Sequence, residues 1–125
     1  MRNLVIRILL TGLSICLLLQ NAVIRSSAKT VPNDEQVFRI SASKFEYSPS
    51  EITVKKGVPV ILELTSQDRH HGFKLPAFQV RADIRPNAVE KVRFVPDKTG
   101  TFTFFCDVFC GDGHEDMSGT LKVVE

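Results

Sequence analysis

Short strand-like runs separated by turn residues are the feature that most limits how this chain can fold. Polar and apolar residues alternate in "VFRISAS" (37–43), and "EITVKKG" (51–57) places Ile52 and Val54 on one face. Similar runs follow in "VPVILELT" (58–65), "AVEKVRFVP" (88–96), "GTFTFFC" (100–106) and "GTLKVVE" (119–125). Gly, Pro and Asp stand between the runs, and no segment keeps a helical period. The pattern predicts an all-β sandwich or barrel.

One longer stretch does not fit this pattern. "PAFQVRADIRPN" (76–87) has a proline near each end and no sustained alternation. We predict that it is an irregular connection between the sheets, with room for a helical turn.

The first residues are typical of an export signal. Arg2 and Arg7 flank the start of a twelve-residue apolar run (8–19), which is shorter than the roughly 20 residues that a membrane span needs. Small residues in "SSA" (26–28) suit cleavage by a signal peptidase. Residues 1–28 are therefore predicted to be a signal peptide. The alternative is an uncleaved N-terminal membrane anchor that extends through "AVI".

The remaining chain is predicted to be a tether (29–36) followed by one folded domain (37–125). A total of 125 residues suffices for a single modest core. Without the three arginines of the first 28 residues, 13 basic residues face 14 acidic ones. This balance argues against a nucleic-acid partner. The predicted location is the periplasm or the outer face of the cytoplasmic membrane.

The segment "CDVFCGDGHEDM" carries the side chains with the most distinctive chemistry. Cys106 is followed by Cys110, His114 and Met117 at four, eight and eleven residues. Far upstream, "QDRHHGF" supplies His70 and His71, which we predict at the end of the apolar strand. Strand ends share an edge of a sandwich, so the two groups can meet.

Several chemistries suit these residues. Two cysteines in an exported protein often form a disulfide, although so short a loop restrains little chain entropy. A structural zinc site would take four Cys and His ligands and leave Met117 unused. A thiol–histidine nucleophile would need an orienting group and a substrate pocket. Thiolate, imidazole and thioether together on a β-scaffold favour copper. One cysteine would serve a mononuclear site, whereas two thiolates can bridge two copper ions.

The chain resembles the CuA domain of subunit II of haem–copper cytochrome oxidases, which has a cupredoxin fold. That family's loop is C-x3-C-x3-H-x2-M with Gly after the second Cys, and residues 106–117 match it. Its upstream motif, D-x-x-H-x-F-x-x-P, fits Asp68, His71, Phe73 and Pro76. The second motif selects His71 over His70. The resemblance covers roughly residues 37–125.

The resemblance implies a cupredoxin-like Greek-key sandwich with two copper ions per chain. The implied ligands are two bridging thiolates, two terminal imidazoles and two weak axial groups: Cys106 and Cys110, His71 and His114, and Met117 with the backbone carbonyl of Val108. The implied function is one-electron transfer without bond chemistry, alone or as the electron-entry subunit of an oxidase-like complex. The implied partners are a cytochrome c-like donor or an oxidase-like acceptor.

Three departures separate this chain from an ordinary oxidase subunit. Val108 stands where such subunits usually carry a magnesium-binding carboxylate, Trp is absent, and the only long apolar run is the short leader. Two alternative functions therefore accompany the main one: periplasmic copper delivery or storage with the same ligands, and a mononuclear blue-type site. The acidic residues of the loop are interpreted as a solvated polar surface, with a docking patch for a basic partner as the alternative: Asp107, Asp112, Glu115 and Asp116.

Overall fold

The computed structural model describes residues 34–125, and the predicted signal or anchor segment lies outside the described residues. The described part contains nine strands: β1 (Gln36–Ser43), β2 (Glu46–Ser48), β3 (Glu51–Lys55), β4 (Val60–Ser66), β5 (His71–Leu75), β6 (Val80–Ile84), β7 (Glu90–Phe94), β8 (Gly100–Phe105) and β9 (Ser118–Val124). Two single turns of 3-10 helix span Pro76–Phe78 and His114–Asp116. Within residues 34–125, no helix has the length and apolar character to cross a membrane.

The strands form two sheets that pack face to face. The first has the order β2-β1-β4-β7, and the second has the order β3-β9-β8-β5-β6. Hairpins join β1 to β2, β5 to β6 and β8 to β9, while the other connections pass from one sheet to the other. The pairs β1–β4 and β3–β9 are parallel, which such crossovers permit. The predicted all-β Greek-key sandwich is confirmed.

The core follows from the alternation within the strands. Inward positions such as Ile40, Leu62 and Leu64 are fully buried, while their neighbours face outward. Phe104 packs between the two sheets, with its ring centroid 5.2 Å from Tyr47 and 4.9 Å from Phe73. Edge-to-face and tilted contacts of this kind add to the burial of the rings. This aromatic cluster supports the strands that end at the loop 106–117.

The prediction for residues 76–87 is correct in its first part and wrong in its second. Pro76–Phe78 forms the expected helical turn. Residues 80–84, however, form strand β6, which pairs antiparallel with β5 along its whole length. Val80, Ala82 and Ile84 are buried. The alternation is only five residues long and stands between prolines, so the sequence pattern did not reveal it.

The placement of the two histidines also differs from the prediction. The apolar strand β4 ends at Ser66, and residues 67–70 form a separate β4–β5 loop. His71 is the first residue of β5 rather than the end of β4. The short strand β5 was not expected, because its residues lack clear alternation: His71, Gly72 and Phe73 are all buried.

Candidate metal centre

The predicted ligand residues lie at one edge of the second sheet. His71 begins β5, Cys106 directly follows β8, and residues 106–117 form the ligand loop that leads into β9. β5 and β8 are antiparallel neighbours, with Lys74 opposite Phe105. The start of β5 therefore lies beside the residues that follow the end of β8. Two segments that are distant in sequence meet in this way.

Both cysteines of the loop are free and buried. The two sulfur atoms of Cys106 and Cys110 are 3.8 Å apart, far beyond the roughly 2.05 Å of a disulfide bond. The disulfide alternative is therefore not formed in this structure. Donor atoms of His71 and the two cysteines all lie within 4.8 Å of one another. These three residues could hold a metal ion.

His71 is oriented by Asp68. The imidazole is fully buried, and its Nε2 lies 2.6 Å from Oδ1 of Asp68. Burial by itself would raise the pKa of that carboxyl, but hydrogen bonds from His71 and from the backbone N–H groups of Arg69 and Lys44 hold the pKa at about 2. The ionised carboxylate accepts the Nε2 proton, so the other ring nitrogen, Nδ1, carries a lone pair.

Nδ1 of His71 is buried and has no hydrogen-bond partner. Buried polar atoms are almost always paired, so an unpaired one calls for an explanation. A nitrogen lone pair beside two free thiols is a suitable ligand for a soft or borderline metal. This atom is the structural observation that most favours a metal at this edge.

The other predicted donors surround the two sulfurs. Nδ1 of His114 is 3.7 Å from Sγ of Cys110, and Sδ of the buried Met117 is 3.9 Å from the same atom. The backbone oxygen of Val108 is 3.1 Å from Sγ of Cys106. The fold thus brings together all six predicted donors, five from the ligand loop and one from the start of β5.

His70 and Asp107 belong to a surface network instead. Nε2 of His70 lies 3.1 Å from Oδ1 of Asp83, so His70 points away from the sulfurs. Arg81 pairs with Asp83 at 2.8 Å and with Asp107 at 3.0 Å. Asp107 is therefore engaged by a cation. Of the other loop acids, Asp112, Glu115 and Asp116, none is buried.

Several residues near the centre were not found by sequence reasoning. The Tyr47 hydroxyl donates to the Gly72 carbonyl oxygen at 2.6 Å, and the Gly72 N–H donates to Sγ of Cys106 at 3.3 Å. Burial, followed by the nearby thiols of Cys106 and Cys110, raises the pKa of Tyr47 well above its usual range. Phe45 packs against the glycines of the ligand loop. No local pattern could have signalled these long-range contacts.

Phe109 is a further unexpected feature. Its side chain is 73% exposed, and its ring centroid lies 5.9 Å from that of His114. Of the other phenylalanines considered for shielding a metal, Phe104 is buried in the core, and Phe102 packs against Phe78 at 5.0 Å. An apolar ring therefore marks the place where His114 comes near solvent.

Comparison with known proteins places this architecture. The profile of the cupredoxin-like domain matches residues 14–123. The chain belongs to the cupredoxin-like domain family. It is 33% identical over 97 residues to a cytochrome c oxidase subunit 2 of Thermus thermophilus, covering 78% of this chain and 71% of the relative. A second such subunit, from a further strain of the same species, is also 33% identical over 97 residues, covering 78% of this chain but only 57% of the relative.

A solved structure shows the same cupredoxin fold. The periplasmic domain of subunit II of cytochrome oxidase from Bradyrhizobium japonicum superimposes with a TM-score of 0.67 at 22% identity. The superposition covers 72% of this chain and 84% of that domain. At this identity the likeness establishes the fold of this cupredoxin-like domain.

Proposed function

We propose that this protein is a copper-binding electron carrier whose cupredoxin-like domain holds a binuclear centre. The observation that carries the proposal is the unpaired Nδ1 of His71 beside two free sulfurs 3.8 Å apart. The relatives named as cytochrome c oxidase subunit 2 support it.

The donor set favours copper over zinc. Two thiols, two imidazoles, a thioether and a carbonyl oxygen form a predominantly soft set of the kind that copper prefers. A closed tetrahedral zinc site would leave Met117 and the Val108 carbonyl unused. Metal–sulfur bonds of about 2.3 Å can join one ion to both sulfurs across a gap of 3.8 Å.

Each predicted residue has a role in this proposal. Cys106 and Cys110 would bridge two copper ions. His71 and His114 would each complete one of them. Met117 and the backbone carbonyl of Val108 would be weak axial ligands. These assignments use the proximity of the donors in the fold, and the number of copper ions is the point that experiment must decide.

The chain contributes position and burial rather than bond chemistry. When bound, the copper pair would supply a one-electron couple. Cys106, Cys110 and Met117 are buried, and His71 is fixed by Asp68, so the ligands need to move little. A site that reorganises little suits electron transfer. The protein would exchange electrons with a redox partner at the edge marked by His114 and Phe109.

The partner and location are part of the proposal. A cytochrome c-like donor or an oxidase-like acceptor would meet the protein in the periplasm or on the outer face of the cytoplasmic membrane. The apolar leader would direct export and serve as an anchor if it is not cleaved. As a subunit of an oxidase-like complex, the chain would be the point of electron entry.

Metal titration tests the proposed function. Reduced protein is titrated anaerobically with a mixture of Cu(I) and Cu(II), and the bound metal is measured after desalting. We expect two copper ions per chain. One copper with a single intense blue absorption band would instead identify a mononuclear blue-type site. Tight binding of Cu(I) without binding of Cu(II) would identify a delivery or storage protein.

Copper binding is expected to release protons and to strengthen with pH. Burial, followed by the interaction with Cys106, raises the pKa of the Cys110 thiol to about 11. The thiol is therefore protonated at neutral pH, and a metal must displace its proton. Below that pKa, the apparent affinity should rise about tenfold per pH unit for each proton displaced.

A chelator competition between roughly pH 7.5 and 9.5 measures this slope above the usual titration range of histidine. Cys110→Ser is the matched control, because the variant has one thiol proton fewer to displace and should show a shallower slope. An affinity that does not change with pH would contradict thiolate ligation by Cys110.

A further inference from the structure

Arg69 connects the two segments that carry the predicted ligands. It lies in the β4–β5 loop, and its Nη1 donates a hydrogen bond of 2.9 Å to the backbone oxygen of Cys110. The two residues are 41 positions apart in sequence. A hydrogen bond from a guanidinium is charge-assisted and stronger than a neutral one. The contact therefore holds the backbone of one predicted ligand from the loop that precedes another.

The backbone of Arg69 is itself fixed. Its N–H donates to Oδ1 of Asp68 at 2.7 Å, and its carbonyl oxygen accepts from the hydroxyl of Ser66. The same Oδ1 of Asp68 receives Nε2 of His71. One short loop thus orients the His71 ring through Asp68 and the Cys110 backbone through Arg69.

The ligand loop passes close to Arg69 and Phe45. A methyl group at Gly111 would lie 3.5 Å from Nη1 of Arg69 and 3.3 Å from the Phe45 ring. At Gly113 it would lie 2.7 Å from the same ring. On the other side, the Gly72 N–H contacts the Cys106 sulfur. The loop is therefore held at both cysteines, and Arg69 provides the hold at Cys110.

We propose that Arg69 is a positioning residue that sets the place of Cys110 relative to His71 before metal binds and puts a permanent positive charge beside the centre. The part of this inference that concerns the bound metal rests on the proposed function. A nearby cation disfavours the more positive, oxidised state. Arg69 should therefore raise the midpoint potential of the loaded centre.

The test compares Arg69→Met, Arg69→Lys and the control Arg93→Met. Arg93 is also an arginine with a carboxylate partner, Glu35 at 2.9 Å, and it lies on strand β7 of the other sheet. Hydrogen–deuterium exchange of the metal-free proteins is expected to be faster in residues 110–116 of both Arg69 variants. Copper affinity should fall about 10- to 100-fold in Arg69→Met, as is typical when a residue that supports a ligand is removed.

The potential separates charge from positioning. Arg69→Met should lower the midpoint potential, whereas Arg69→Lys keeps the charge and should stay near the parent value. The control should match the parent in all three measurements. Exchange, affinity and potential that are all unchanged in Arg69→Met would overturn the inference. If the parent protein binds no copper, the proposed function fails, but exchange in the metal-free variants still decides whether Arg69 positions the loop.

Discussion

Cys106→Ser is expected to abolish the two-copper centre and to reduce bound copper from two ions per chain to at most one. In the proposed arrangement both metals share each sulfur, and Cys106 lies 3.8 Å from its partner Cys110. A serine hydroxyl is a hard and weakly acidic donor, so it cannot replace a bridging thiolate. Metal analysis after anaerobic loading measures the loss, together with the visible spectrum.

Val108→Ala is the matched control in the same loop. Only the backbone oxygen of Val108 is proposed as a donor, and it lies 3.1 Å from the Cys106 sulfur. Shortening the side chain keeps this oxygen, so the control should still bind two copper ions. A Cys106→Ser protein that also binds two, with the spectrum of the parent, would show that the bridging assignment is wrong.

Gly72→Ala is expected to weaken copper binding at least tenfold and to destabilise the metal-free fold by about 1–3 kcal/mol, the usual cost of overpacking. A methyl group at this position would overlap Oδ1 of Asp107 and would lie 3.0 Å from the backbone nitrogen of Asp107 and 3.1 Å from that of Val108. The Asp107 carboxylate can swing aside only by leaving Arg81. The backbone cannot move without shifting the loop away from His71.

Denaturant unfolding of the metal-free variant and copper competition with a chelator measure the two effects separately. Gly57→Ala is the control, because its added methyl group would meet nothing within 4 Å. Its φ of +77° makes alanine strained, at a cost of about 1 kcal/mol. The control should lose some stability without losing copper affinity. Equal affinities in the two variants would contradict the close approach of the ligand loop to β5.

The sequence was most informative about the fold where alternation was long enough to see. β1, β3, β8 and β9 have inward and outward positions that can be read directly from their residues. β2 has only three residues, and β6 has five between prolines, so neither provides a clear period. β5 is buried at three successive positions, which removes the alternation altogether. Those strands are specified by their neighbours rather than by their own pattern.

The candidate centre shows the same division between local and long-range information. Cys106, Cys110, His114 and Met117 lie within one loop, so their spacing alone suggested a shared site. The selection of His71 came from a motif resemblance, and the fold places it beside the cysteines.

The supporting contacts could not be predicted from the sequence. The Tyr47–Gly72 and Arg69–Cys110 hydrogen bonds join residues 25 and 41 positions apart. No periodic pattern encodes such pairings, because they depend on how the sheets are stacked and how the loops close over their edge. The residues that support a metal centre therefore emerge only from the three-dimensional structure.

Electron paramagnetic resonance of the copper-loaded, partly oxidised protein tests the central claim most directly. The account predicts a hyperfine pattern from one unpaired electron shared equally by two copper nuclei, in protein that holds two copper ions per chain. A pattern from a single copper nucleus, or protein that holds no Cu(II) at all, would contradict the binuclear electron-transfer centre.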